Sequence, residues 1–230
     1  AGADISMDVM PTTAGFTHLL AFFPPWALVG GREKVLERIK DPALRAEMLR
    51  DIERGKPSWP HRGRSDWSLN IMRQMGWDAV TVMAVHGEKN KHLEGRLFTD
   101  IAAERGRHPF EVMCDLLLEE DGRVLVFESL SEPDDAFTER YTFPALTDPD
   151  TMITTDTILM GVGKPSYLFY GCYPKFFGRY VRDRGLLGFP EAVRRCTSLP
   201  AESFGIEKRG RVREGYYADL LVLEPEWFGT

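Results

Sequence analysis

Ile5, Met7 and Val9 alternate with polar neighbours from Asp4 to Met10, which predicts a strand that the run Pro-Thr-Thr-Ala-Gly at 11–15 then breaks. A loop is expected next, followed by a Pro-rich apolar piece as far as Gly31. Beyond it Leu36 and Ile39, then Leu44, Met48 and Ile52, recur at helical spacing. Asp41 followed by Pro42 supplies an N-cap and a first-turn proline, so two helices are predicted here rather than one, the second stopping at Gly55. The apolar, β-branched stretch from Trp77 to Val85 predicts a buried strand. "GRLFTDIAAERG" and "PFEVMCDLLLEEDG" predict helices and "RVLVFES" another strand. Ser131 with Asp134 three residues on is the capping pattern of a further helix start.

Asp150 to Thr155 then reads as a strand that ends at Asp156. "PKFFGRYVRDRG" predicts an amphipathic helix with Phe176, Tyr180, Phe177 and Val181 turned to the core and Lys175, Arg179 and Arg182 on the wetter side. "FPEAVRRCTSL" predicts another, with Phe189, Val193 and Cys196 on one face. Strands and helices alternate, which argues for an α/β parallel arrangement with ligands at the carboxyl ends of strands. Asp156 lies in such a place. From Gly210 to Pro225 two short strands are expected, belonging to a separate small β unit.

With 230 residues, 43% of them apolar and 28% charged, the chain can bury a sizeable core, and its net charge of −6 argues against nucleic acid as a partner. The most apolar stretch, Leu19 to Val29, is too short to span a bilayer and holds Pro24 and Pro25. No membrane partner is expected. The chain shows no leader pattern and opens as though already inside a strand, so an upstream part is expected. Cys114, Cys172 and Cys196 are odd in number and widely spaced. They indicate neither a disulfide framework nor a zinc knuckle, and a reducing cytoplasm fits them.

Candidate chemistry is sparse. His18, His61, His86, His92 and His108 form no metal-binding motif, and His86 and His92, flanking a basic loop, read as ordinary loop histidines. "GVGKPS" is not a phosphate loop, because Ile158 stands where the fingerprint needs glycine and Pro165 where it needs Ser or Thr. No nucleophile elbow occurs, and Cys172, without an adjacent base, reads as a packed thiol. Asp156 is either a turn-forming aspartate or a functional group in a strand-end cleft, and the residues alone leave both open.

A family likeness follows from longer stretches. "RGRVREGYYADLLVLEP" looks like the closing signature of the amidohydrolase superfamily. "FFGRYVRDRGLLGFPEAVRRCTSLPAESFGI" is similar to the helices before that signature in the D-aminoacylase branch, the N-acyl-D-amino-acid deacylases. "DVMPTTAGFTHLLAFFPPWALVGGREKVLERIKDP" resembles the segment after their seventh barrel strand, so the likeness covers nearly the whole chain. It implies the C-terminal part of a metal-dependent (β/α)8 TIM-like barrel over 1–204, with a lid insertion at about 19–95, and part of a small β-sandwich domain over 205–230. It implies a hydrolase cutting the linear amide of N-acyl (D-)amino acids. Asp156 would be general acid/base on a water activated by zinc.

The same resemblance implies limits. The family's metal ligands lie on strands before the one at Asp4, so no metal site is expected in this chain, and by itself it should be inactive without the missing half of the barrel. Thr154, Thr155 and Thr157 surround Asp156 where the family has Gly-Ser before and Gly after. Met10, Pro11 and Thr12 replace Tyr-Pro-Tyr, and Ser166 replaces a histidine. Substrate-binding residues are therefore not assigned. The alternative is a truncated, non-catalytic homologue serving as a binding or assembly module, its open strand edges covered by an oligomeric partner.

Overall fold

The computed structural model describes residues 5–12, 14–54, 69–129, 136–157, 161, 163–164 and 168–229. In chain order the strands are β1 (Met7–Val9), β2 (Ala14–His18), β3 (Val80–Val85), β4 (Val124–Ser129) and β5 (Thr151–Ile153). The helices are α1 (Pro25–Leu28), α2 (Gly31–Arg38), α3 (Pro42–Arg54), α4 (Ile71–Met75), α5 (Phe98–Arg105), α6 (Pro109–Glu119), α7 (Ala136–Thr147), α8 (Leu168–Lys175), α9 (Phe189–Cys196) and α10 (Ser198–Ser203). The chain divides into two compact units. One takes the described residues of 1–13, 132–160 and 167–230, the other those of 14–131 and 161–166.

In the first unit β1 and β5 pair in parallel, Met7 opposite Thr151 and Val9 opposite Ile153. β5 is buried along its length, and Ile153 packs with Leu146, Phe176, Phe177, Tyr180 and Ala192. Those rings include the pairs expected to face the core. The expected single helix after Pro174 is instead α8 running into a π-helical stretch, Phe176–Asp183, and the Arg184 N–H reaches back to the Arg179 carbonyl at 2.9 Å. Pro174 lies inside α8, where it removes one donor and crowds the preceding turn, and a widened turn relieves that crowding. Arg195, buried on α9, donates to the Leu146 and Thr147 carbonyls at 2.7 and 2.9 Å and so closes the C-terminus of α7.

The second unit is a three-stranded sheet of order β2-β4-β3, antiparallel throughout. This corrects the expectation of a parallel arrangement for these strands. α5 and α6 both lie between β3 and β4, and two helices in succession return the chain in the opposite direction. β2 falls where a loop was expected; Gly15 hid it, and pairing with β4 makes it a strand. Val80, Val82, Val124 and Val126 bury one face of the sheet in a core with Phe22, Phe23, Phe98 and Phe110. The break between α2 and α3 falls as predicted, with Asp41 Oδ1 accepting from the Ala43 N–H at 2.8 Å. Arg45 of α3 donates to Glu111 and Asp115 of α6, at 2.7 and 3.0 Å. The stop at Gly55 and the Ser131/Asp134 cap lie outside the described residues.

Gly210 to Pro225 forms no strand among the described residues, which corrects the two expected there. Leu220, Leu221 and Val222 are 66%, 74% and 96% exposed. An apolar run becomes a strand only against a paired edge, and no described strand gives it one. A little further on the tail is held by Arg182, which donates to the Glu226 and Phe228 carbonyls at 3.2 and 3.1 Å.

Candidate functional site

The ladder between β1 and β5 continues one step past the strands, the Thr154 N–H donating to the Val9 carbonyl at 3.0 Å. There the backbone turns out of the sheet. Asp156 has φ +45°, a left-handed conformation that a short polar side chain tolerates better than most. Asp121 and Lys208 share that conformation, so the angle by itself marks only a turn. What sets Asp156 apart is its position at the carboxyl end of a buried parallel strand, with its side chain exposed and no donor on its carboxylate among the described residues.

α8 fixes this strand end. The Cys172 thiol donates to the Thr154 carbonyl at 3.4 Å and the Tyr173 hydroxyl to the Ile153 carbonyl at 3.5 Å. Burial pushes the Cys172 thiol up to about 11 and the Cys196 thiol up to about 12. Both are therefore protonated near neutral pH and are packing groups rather than nucleophiles. Thr155, Thr157 and Thr154 are each partly exposed around Asp156, and Thr157 Oγ1 donates to the Thr155 carbonyl at 3.4 Å. After β1, Pro11 and Thr12 are buried and Met10 is half-buried. Ser166 lies outside the described residues.

The described histidines each have a polar neighbour within hydrogen-bonding distance. His18 and His108 each accept, through Nδ1, a backbone N–H two residues on, from Leu20 and Phe110, as helix caps. His86 Nε2 faces Arg123 at 3.2 Å and His92 Nδ1 faces the Lys89 carbonyl at 3.0 Å; His61 lies outside the described residues. Among the described residues no three His, Cys, Asp or Glu side chains gather as a possible metal set. A lone exposed carboxylate does not hold an ion, so the residues in hand do not fit a metal by themselves. The supporting role of Cys172 and Tyr173 was not readable beforehand, because it depends on α8 packing against the end of β5.

The chain belongs to the amidohydrolase family, whose model matches residues 73–229, Asp156 included. It is 35% identical over 133 residues to D-aminoacylase of Alcaligenes xylosoxydans xylosoxydans, covering 58% of this chain and 25% of that protein. N-acyl-D-glutamate deacylase of the same organism is 39% identical over 62 residues, or 27% of this chain and 13% of that one. Among solved structures, D-aminoacylase superposes with a TM-score of 0.61 at 24% identity, covering 97% of this chain and 34% of that one. N-acyl-D-glutamate deacylase from Bordetella bronchiseptica, complexed with zinc and a phosphonate inhibitor, gives 0.63 at 19%, covering 99% and 34%. The fold is thus that of part of these enzymes, and the chain spans about a third of the length of the solved relatives. No described helix is long and apolar enough to cross a membrane.

Proposed function

We propose that this chain is part of a hydrolase that cleaves the linear amide of N-acyl-D-amino acids, with Asp156 as its general acid and base. The observation that carries the reading is the exposed carboxylate at the carboxyl end of β5, beside its parallel neighbour β1. In this reading the two strands are adjacent members of a (β/α)8 barrel, and that end of such a barrel is where its chemistry is done.

Asp156 would take a proton from the water that attacks the amide carbonyl carbon. As the C–N bond breaks it would hand that proton to the leaving nitrogen, giving a carboxylate and a free amine. Its exposure leaves it able to exchange protons, and α8 bonds the strand end beneath it through Cys172 and Tyr173. The solved relatives include a D-aminoacylase with a binuclear metal centre and a deacylase with zinc. The residues described here make no metal set, and no step above is routed through an ion. A reducing cytoplasm is the compartment this reading assigns, supported by three free thiols.

The test is release of free amine from matched N-acetyl-D- and N-acetyl-L-amino acids by the protein as its gene encodes it. Turnover of the D series is expected, with the L series much slower. No turnover of either, or equal turnover of both, would overturn the proposal.

A further inference from the structure

Residues 224–229 have no part in the proposed reaction, yet they pack onto the π-helical stretch Phe176–Asp183 that follows α8. The Trp227 and Phe228 N–H groups both donate to the Glu224 carbonyl, at 3.1 and 2.9 Å, which folds the segment into a turn. Arg182 holds that turn by the Glu226 and Phe228 carbonyls, and the Phe228 ring packs on Phe177 with centroids 5.6 Å apart. Phe177 in turn meets Phe176 at 5.4 Å and Phe189 of α9 at 5.3 Å.

The seat of the turn requires two glycines. Gly178 is buried in the π-helical stretch, and a Cβ there would collide with the Gly229 carbonyl oxygen and stand 2.9 Å from Gly229 Cα. Gly229 has φ +100°, and its missing Cβ would collide with the Pro174 carbonyl oxygen and stand 2.6 Å from Gly178 Cα. All of these are backbone atoms, which cannot rotate away as the end of a side chain can. π-turns are rare and recur at functional sites.

We propose that Gly178 is a positioning residue for Asp156, acting through α8 by way of this seated turn; the proposal rests on the deacylase reading. Pro174, whose carbonyl meets Gly229, directly follows Cys172 and Tyr173, the two side chains that bond the Thr154 and Ile153 carbonyls at 3.4 and 3.5 Å. Both bonds are long, so a small displacement of α8 breaks them. Asp156 follows shortly after Thr154 in a left-handed conformation, which persists only where its surroundings hold it. The whole relay, from Gly229 to Asp156, lies within one compact unit. A freed α8 leaves the acid/base group tied by the β5 ladder alone, and small misplacements of such a group are costly.

The experiment compares wild type, Gly178→Ala and Gly185→Ala in the protein as its gene encodes it. Alanine is the better helix former, so Gly178→Ala expels Gly229 without weakening the helix backbone. Gly185, just beyond the same stretch, has φ +59° and a Cβ there meets nothing within 4 Å, so its alanine adds backbone strain without touching the turn. Hydrogen exchange at the Phe228 amide reads the seat, and alkylation of Cys172 by iodoacetamide reads α8. Steady-state kinetics on an N-acetyl-D-amino acid read kcat and KM separately. In Gly178→Ala the Phe228 amide should exchange, and Cys172 should alkylate, at least about tenfold faster than in wild type. There kcat should fall at least about tenfold with KM within about threefold, while Gly185→Ala keeps wild-type values of all four.

If Gly178→Ala fails to fold by circular dichroism, Arg182→Met replaces it, since loss of that exposed side chain removes the two bonds to the turn and an ion pair with Asp183. Changes in the same directions of at least about threefold are then expected. An unprotected Phe228 amide in wild type overturns the seated turn. Release of the turn with Cys172 or kcat unchanged, or an equal loss of kcat from Gly185→Ala, overturns the positioning role. A wild type without turnover overturns the deacylase reading, and with it the role of Gly178 toward Asp156, while exchange and alkylation still decide whether the turn holds α8.

Discussion

Replacing Arg195 by methionine removes a buried cation whose three donated hydrogen bonds go to Leu146 O, Thr147 O and Glu191 Oε1, at 2.7, 2.9 and 2.9 Å. Leu146 is fully buried, so its carbonyl would lose its side-chain partner without gaining water, at a cost of about 1–3 kcal/mol. Thr147 is exposed and can be rehydrated, and Glu191 keeps Arg194 at 2.7 Å, so those two losses should be small, about 0.5 kcal/mol together. The sum is about 1.5–3.5 kcal/mol. For a chain of this length that corresponds to a Tm lower by roughly 3–14 °C. Arg195→Lys should recover less than half, because one ammonium cannot span the two carbonyls and the carboxylate as a planar fork does. Urea unfolding followed by circular dichroism measures the change, read on the transition of the unit that holds α7 and α9. A methionine variant within about 0.5 kcal/mol of wild type would refute the argument that this side chain closes α7. The position matters for the site because α7 leads through Asp148 to Asp150 directly into β5 and Asp156.

Two carboxylates should give opposite pH dependences. Hydrogen bonds from Arg194 and then Arg195 hold the Glu191 carboxyl down to about 2. Its folded value lies below the ordinary 4.5, so its stabilisation is present above pH 4.5 and is lost as pH falls toward 2. Glu191 is more than a third exposed, and solvent screening reduces the effect to about 1 kcal/mol, measured as the difference between wild type and Glu191→Gln across that range. Glu128 sits on β4 opposite Gly15 and Val80 with its Oε2 buried and unpartnered among the described residues, and burial pushes its carboxyl up. Its contribution is favourable below pH 4.5 and is lost as pH rises through the raised value. Glu128→Gln should therefore stabilise the protein by about 1 kcal/mol near pH 7 and by nothing near pH 4, as chemical denaturation at the two pH values would show.

Much of the helical pattern was legible because its signals are local. Asp41 and Pro42 separate α2 from α3 through a cap that needs only the next few residues, and the apolar spacing of "PFEVMCDLLLEE" is enough to define α6. The parallel direction expected of the strands holds for β1 and β5 but not for β2, β3 and β4, since alternation of element types does not record how many helices intervene before the chain returns; α5 and α6 together make β3 and β4 antiparallel. β2 was hidden by Gly15, whose absent side chain leaves room for Glu128 across the strand. The apolar run Leu220 to Leu223 reads as a strand by composition, yet strand formation is decided by a partner edge, which composition does not encode. At the site, the position of Asp156 was readable from the end of an apolar run, while its left-handed backbone and its support by Cys172 and Tyr173 depend on tertiary contact. Gly163 was noticed only as part of a failed phosphate motif; its reason is the bulge at Met83 in β3, where a Cβ on Gly163 would stand 2.5 Å from the Met83 carbonyl oxygen.

The central claim, that Asp156 moves the proton in amide hydrolysis, is tested most directly by Asp156→Asn in the protein as its gene encodes it. The measurement is kcat and KM for an N-acetyl-D-amino acid, with folding checked by circular dichroism. The side chain is exposed and accepts no described hydrogen bond, so the substitution should leave stability nearly unchanged. In that variant kcat should fall by about 10³-fold or more with KM within a few-fold, since an amide can neither take nor return the proton. An asparagine variant that keeps kcat within about tenfold of wild type would contradict it.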